Sequence, residues 1–511
     1  MQYAPAHSSL PDASFDGGSL DCGSGLLLLI RRHIDPLPGG RLLEIRSTEP
    51  SVEEDLPSWC RMTGNDLLST VRRGPERSYL VRKRGAPGML PEGVDSRVAT
   101  NSVALHTSHP VGRDLSRDSI APLSVMGIGS WPRSPNVLAA LPQYLSGRIS
   151  DAHFHAIADL AVADVIAAQE RAGVHVVTDG EQRRDSYASF IGNHLENCQL
   201  VPIVDLLSYV DEPDRFREEL KALDVPAESV RHPAVFGKLA RRTPIVVPEL
   251  QFAQSRTARP IKVALPGPYL LTRTMWLECV ADKAYDTREA LADDIVLALR
   301  GELRDLLAAG AAIVQFDEPV LTEVVFGAPR QSRSFMCGAL SERREPTEEL
   351  RFAAGLINRV VDGFPRDRTA VHVCRGNWSR DESVALSGDY RPLVPTLCEL
   401  NVGHLFLELC TSRAGELDSL RQLPEDVRIG VGVVNQKLDR VETVNEIVVR
   451  GEAAIAVFGA KRVLLNPDCG FATFADRPIA SAAVAEQKLA AIVQASRQLR
   501  ALHGESLHST S

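Results

Sequence analysis

From about residue 122 the chain alternates short apolar, β-rich runs with longer helical stretches, and this alternation restricts the fold more than any other feature. The runs are Val125–Trp131, Val174–Asp179, Ile261–Pro266, Ala312–Asp317, Thr369–Cys374, His404–Leu409, Val427–Val434 and Arg462–Pro467, eight in all. Helical patterning fills the spaces between them, as in Phe154–Ala172, Ala284–Leu307, Glu348–Val361, Thr443–Phe458 and Ala480–Leu499. Strands separated by helices of this length pair in parallel through crossovers. Eight such units predict an α/β fold, a closed (β/α)8 TIM barrel over residues 121–505. A long excursion, Cys198–Arg259, interrupts the second unit and reads as an insertion above or beside the barrel mouth. It holds one helical piece (Asp214–Leu223) and one strand-like run (Ile245–Pro248).

The first 120 residues are different. Pro, Gly, Ser and Arg are dense, and Arg72–Gly93 reads as neither helix nor strand. Residues 1–120 are therefore expected to be an irregular or poorly packed extension, with a small accessory domain near residues 40–110 as the alternative.

Bulk properties exclude several classes. The formal net charge of −9 opposes nucleic-acid binding, and the most basic stretch, Val71–Arg84, lacks other features of such a module. No apolar run approaches the roughly 18 residues of a membrane span. Leu26–Ile30 is too short and follows an acidic segment, so it is not read as a signal peptide. Nine scattered cysteines make a poor disulfide framework and suit a reducing compartment, hence the cytoplasm.

In such barrels the chemistry gathers at the C-terminal strand ends. Those ends carry Gly129-Ser130, Asp179-Gly180-Glu181, Gly267-Pro268, Asp317-Glu318-Pro319, His372-Val373-Cys374, Glu408, Asn435-Gln436-Lys437 and Asp468-Cys469-Gly470. His372 and Cys374 are two apart on a strand, so their side chains share a face while Val371 and Val373 face the helices. Imidazole and thiol side by side are half of a zinc site. Cys469 can add a second thiolate across the barrel and Glu408 an oxygen; Cys410, on the same face as Glu408, is a competing donor. Thiolates reduce the Lewis acidity of Zn2+, so this set suits holding a substrate thiol as a reactive thiolate better than activating water.

Glu181 and Asp317 face the same mouth and suit the ammonium of an amino-acid substrate, with Ser130 on its carboxylate. An aspartate at a strand end can instead cap the next helix. Trp276 and Tyr269 either stack on a flat donor such as a pterin or pack. His153-Phe154-His155 opens a helix remote from the mouth and reads as surface.

At these residues the chain resembles the catalytic domain of the cobalamin-independent methionine synthase family. The resemblance is carried by GIGSWP (127–132), TDGEQRRD (178–185), LPGP (265–268), QFDEP (315–319), HVCRGNW (372–378), LELCTSRAGE (407–416), GVGVVNQKLDRVE (430–442) and NPDCGFA (466–472). It implies methyl transfer to zinc-bound homocysteine, giving methionine, with His372, Cys374, Glu408 and Cys469 on zinc and Ser130, Glu181 and Asp317 on homocysteine. The family's longer members carry a second barrel that helps bind a polyglutamylated methyl-folate, and residues 1–120 are too few for it. The methyl donor is thus a methyl-folate or a methyl-corrinoid. A histidine proton donor expected after strand seven is replaced here by Asn435-Gln436-Lys437, which makes Lys437 the candidate. HVCRGNW and TSRAGE resemble the short, single-barrel branch, whose relatives include a zinc enzyme adding coenzyme M to epoxides. Alkylation of another small thiol is therefore the second reading, ahead of a metal-free decarboxylase-like barrel or a non-catalytic binding protein.

Overall fold

The computed structural model describes residues 6–21, 25–84, 120–145, 147–203, 217–218, 231–276, 284–327, 344–415, 417–476 and 478–508. The chain divides into two compact units, residues 1–119 and 120–511.

The first unit is ordered where it was expected to be irregular. Strands β1 (Ala13–Asp16), β2 (Leu42–Ser47), β3 (Asp66–Arg73) and β4 (Glu76–Arg82) form a mixed sheet in the order β1-β2-β4-β3. β1 runs parallel to β2, and the other pairs are antiparallel. Period-two side chains explain the packing. Leu43 and Ile45 of β2 and Tyr79 and Val81 of β4 join Ile30 and Ile34 from helix Leu27–Ile34 and Leu56 and Trp59 from helix Val52–Thr63 in one buried cluster. The breaker signal at Arg72–Glu76 is a tight hairpin turn: Arg73 pairs with Glu76, and Gly74 takes a φ of +64° that favours glycine. Part of the basic charge is neutralised locally, Arg77 on Glu53 and Arg82 on Asp66, both at 2.8 Å. The remainder of Arg72–Gly93, beyond residue 84, lies outside the described residues.

In the second unit an antiparallel pair, β5 (Cys198–Pro202) with β6 (Arg231–Val235), falls within the expected excursion. The main sheet is parallel: β7 (Lys262–Pro266), β8 (Ile313–Asp317), β9 (Thr369–Val373), β10 (His404–Leu407), β11 (Arg428–Val434) and β12 (Val463–Pro467), each beside its successor. The first two predicted runs contribute isolated parallel bridges rather than ladders: Val125 with Leu465, Met126 with Val176, and Val177 with Ile261. Leu465 lies in β12 and Ile261 immediately precedes β7, so these bridges lead from one edge of the sheet to the other.

The strands partition their side chains by parity. Val263, Leu265, Val314, Phe316, Val371, Val373, Leu405 and Leu407 pack with the helices in the large core. Ile313, Ala370, Phe406 and Leu464 join Met126, Ile128 and Val176 in a separate inner cluster. Helix starts follow local chemistry: Ser150 caps Asp151–Ala172, Thr287 caps Arg288–Ala308, and Thr443 with Glu446 forms a capping box on Val444–Phe458.

Two sequence expectations on the excursion fare differently. Ile245–Pro248 is not a strand. The Glu302 carboxylate accepts from the backbone N–H groups of Ile245, Val246 and Val247, and Pro248 near the first helical position helps start helix Val247–Gln254. The helical piece Asp214–Leu223 lies almost wholly outside the described residues. Among the described residues no helix is long and apolar enough to cross a membrane.

Candidate metal centre and substrate cavity

His372 is the penultimate residue of β9, which leads directly to Cys374, while Cys469 follows β12. The ligating atoms of these three residues lie within 4.8 Å of one another, and all three are buried. His372 is fixed by its other ring nitrogen: Nδ1 lies 3.0 Å from the Phe406 carbonyl. A carbonyl only accepts, so Nδ1 carries the proton and Nε2 is left with a free lone pair, 3.4 Å from Cys469 Sγ. A hydrogen bond from Cys469 holds the Cys374 thiol well below its usual range, against the opposing effect of burial, and His372 adds to the lowering. Sharing one proton between the two sulfurs pushes Cys469 up correspondingly. Two thiols and a properly oriented imidazole, buried and convergent, are a donor set that fits zinc.

Glu408 lies beside this cluster, outside the group of three whose ligating atoms fall within 4.8 Å of one another. Oε2 accepts from the Arg375 backbone N–H at 2.9 Å and Oε1 from the Arg413 guanidinium at 3.0 Å. Burial raises its pKa, the nearby Cys374 charge raises it further, and Arg413 opposes both. Arg413 also reaches Glu382, at 3.1 Å. Cys410 is held differently from a ligand: its N–H donates to Asp468 Oδ1, and burial pushes its thiol up.

The three donors line one cavity, part of it open to solvent. Ser130, Glu181 and Asp317 line the same cavity, together with Tyr187, Asn377, Trp378 and Thr473. Glu181 sits at φ +55°, a left-handed conformation that costs a non-glycine residue about 1–3 kcal/mol. Its own N–H donates to Asp179 Oδ1 at 3.1 Å, which stabilises the turn. Its Oε2 is buried without a hydrogen-bond partner, a waiting acceptor. Burial raises the Glu181 pKa to about 7 in spite of Arg184 and Arg133. Burial likewise raises that of Asp317, with His372 and the Gln315 amide opposing. Two glycines make room: a Cβ on Gly129 would collide with the Glu181 carboxylate, and one on Gly470 with the Ser130 hydroxyl. Ser130 Oγ accepts from the Ala472 N–H at 3.3 Å, which leaves its own proton to donate.

Lys437 and Trp276 do not line the cavity. Burial lowers the Lys437 pKa, and its Nζ donates to the carbonyls of Gly376 at 3.1 Å and Ser379 at 2.7 Å. Neighbouring Gln436 donates to Asn377 at 2.6 Å. The Asn435–Lys437 segment therefore clamps the loop that follows Cys374, and its amine is committed to that loop. Trp276 is partly buried against the large core, and the Tyr269 hydroxyl donates to Glu349 at 2.6 Å, so Tyr269 packs. The aromatic rings at the cavity are Tyr187 and Trp378 instead. Trp378 was within reach of sequence reasoning, because it follows Cys374 by four residues at a strand end; Tyr187 carried no signal. His153 and His155 are exposed on their helix, as expected.

The fold has known counterparts. A B12-independent methionine synthase from a Shewanella species, solved in complex with selenomethionine, superposes with a TM-score of 0.56 at 22% identity, covering 75% of this chain and 100% of that one. A B12-independent methionine synthase of Listeria monocytogenes, described as putative, gives 0.54 at 19% identity, with 74% and 98% covered. Among curated relatives, the 5-methyltetrahydropteroyltriglutamate–homocysteine methyltransferase of Acidithiobacillus ferrooxidans is 29% identical over 378 residues, 74% of this chain and 42% of its own length. That of Mycolicibacterium paratuberculosis is 28% identical over 384 residues, 74% and 44% respectively. The chain thus spans less than half the length of these relatives. The catalytic-domain model of the cobalamin-independent synthases matches residues 123–497, the region that holds every cavity residue named above, and the chain belongs to that family.

Proposed function

We propose that this protein transfers a methyl group to the thiolate of homocysteine, giving methionine, with Zn2+ held by His372, Cys374 and Cys469 and with Glu408 as the fourth donor. The supporting observation is that the three convergent donors share one cavity wall with Ser130, Glu181 and Asp317. We read the parallel sheet and its edge bridges as one closed eight-stranded barrel, with β5 and β6 as an insertion after its second strand. The cavity then lies at the C-terminal strand ends.

Zn2+ when bound supplies the charge that keeps a substrate thiol ionised yet nucleophilic. The protein's part is positioning. The Phe406 carbonyl aims His372, and Arg413 holds Glu408 beside Cys374. Glu181 and Asp317 receive the ammonium of the amino acid, and the free Ser130 proton meets its carboxylate. These contacts set the thiol in line with the incoming methyl group, and entropy lost on binding is no longer lost in the reaction step. Tyr187 and Trp378 form the aromatic wall for the methyl donor, a methyl-folate or a methyl-corrinoid. Free thiols at Cys60, Cys198, Cys398 and Cys410 support a cytoplasmic location.

The test is turnover by zinc-loaded protein given homocysteine with methyl-folate, as mono- and polyglutamate, or methylcobalamin. Methionine formation is expected with at least one donor. Alkylation of other thiols with none of homocysteine would replace this reading with the second one.

A further inference from the structure

Lys262, on β7, is 1% exposed and points into the inner cluster of the sheet rather than to solvent. A buried ammonium is costly unless its charge is answered. Its Nζ donates to Gln315 Oε1 at 2.7 Å and lies 4.0 Å from the centre of the Phe406 ring. The other end of the same amide, Gln315 Nε2, donates to Asp317 Oδ1 at 2.6 Å. The polarity of this chain is fixed by chemistry. An ammonium only donates, so Oε1 faces Lys262 and Nε2 is forced toward Asp317. Lys262, Gln315 and Asp317 are thus one relay that ends at the cavity wall. Burial lowers the Lys262 pKa to about 7, while Asp317 and, beyond it, Glu181 favour its charged form.

We propose that Lys262 is a positioning residue for amino-acid recognition: through Gln315 it fixes the Asp317 carboxylate and balances the paired charges of Asp317 and Glu181, so that the site takes thiols bearing an α-ammonium over thiols without one. Lys262 and Gln315 reach no substrate atom themselves; Asp317 does. It also explains why a lysine stands at a position where the parity of β7 calls for an inward apolar residue, as Ala264 supplies two residues later.

This inference rests on the homocysteine reading above, and the experiment separates the two. Lys262→Met and Gln315→Glu are compared with wild type using homocysteine and its des-amino counterpart, 4-mercaptobutanoate, after zinc content and thermal unfolding have been measured. Gln315→Glu keeps a partner for Lys262 but places a carboxylate where Asp317 had a donor, so it tests the relay even where Lys262→Met does not fold. Both variants are expected to raise the KM for homocysteine by about tenfold or more, as for lost hydrogen bonds to a charged group, with kcat within about twofold. kcat/KM for 4-mercaptobutanoate should be unchanged. Unchanged homocysteine KM in a folded variant, or an equal loss with both thiols, overturns the proposal. A wild-type protein that does not distinguish the two thiols overturns the homocysteine reading itself.

Discussion

His372 Nε2 lies 3.4 Å from Cys469 Sγ, although 97 positions separate the two residues in the chain. The contact brings the end of β9 to the turn after β12. With Cys374 added, it makes three donors converge at one end of the sheet.

Removing one of these donors should remove the metal. Cys469→Ser is expected to lower zinc affinity by more than about tenfold and to abolish turnover in parallel, because even outer-shell changes cost 10–100-fold. Metal analysis by mass spectrometry, together with the methionine assay, checks it. Full zinc occupancy with full activity would refute the assignment.

Arg413 should matter through Glu408. Its guanidinium is 3.0 Å from Glu408 and 3.1 Å from Glu382. Arg413→Met is expected to weaken zinc binding by about 10–100-fold without unfolding the protein. A competition titration with a chromogenic chelator measures this, and an unchanged affinity would remove Glu408 from the ligand set.

Asp317→Asn should separate substrate from metal. It keeps the shape and removes the charge, so methionine affinity measured by calorimetry should fall by about 10–100-fold. Zinc content should stay near wild type. Loss of both together would make Asp317 part of the metal centre.

Gly129→Ala tests the space beside Glu181. The added methyl collides with the far end of a side chain, not with backbone. Methionine binding should therefore weaken while Tm moves by no more than a few degrees. A large fall in Tm would show that the local backbone, not the carboxylate, needs the glycine.

The pH dependence of stability follows from Glu181, whose pKa burial raises to about 7 from an ordinary 4.5. The folded state then binds more protons than the unfolded state between those values. Its contribution is fully present below about pH 4.5 and is lost as pH rises through about 7. Metal-free wild type should accordingly lose Tm relative to Glu181→Gln between pH 5 and pH 8. A constant difference across that range would count against the shift.

The sequence by itself determined the parallel α/β order and the donor and carboxylate residues of the cavity wall. Strand runs with fixed parity put His372 and Cys374 on one face, and strand-end positions brought Ser130, Glu181, Asp317 and Cys469 to one end. These are local rules, period two and strand direction, and they survive without knowledge of neighbours. Tertiary structure alone decided the rest. The Asn435–Lys437 segment is a clamp because its amine meets the carbonyls of Gly376 and Ser379, not because of anything in its own sequence. The first unit folds because side chains of two helices and four short strands meet in one core, whereas its Gly and Pro turns read as an irregular extension. A lysine can occupy the inward position 262 because distant Gln315 and Asp317 answer its charge. Each of these depends on burial by residues far away in the chain, and burial is a property of the folded whole.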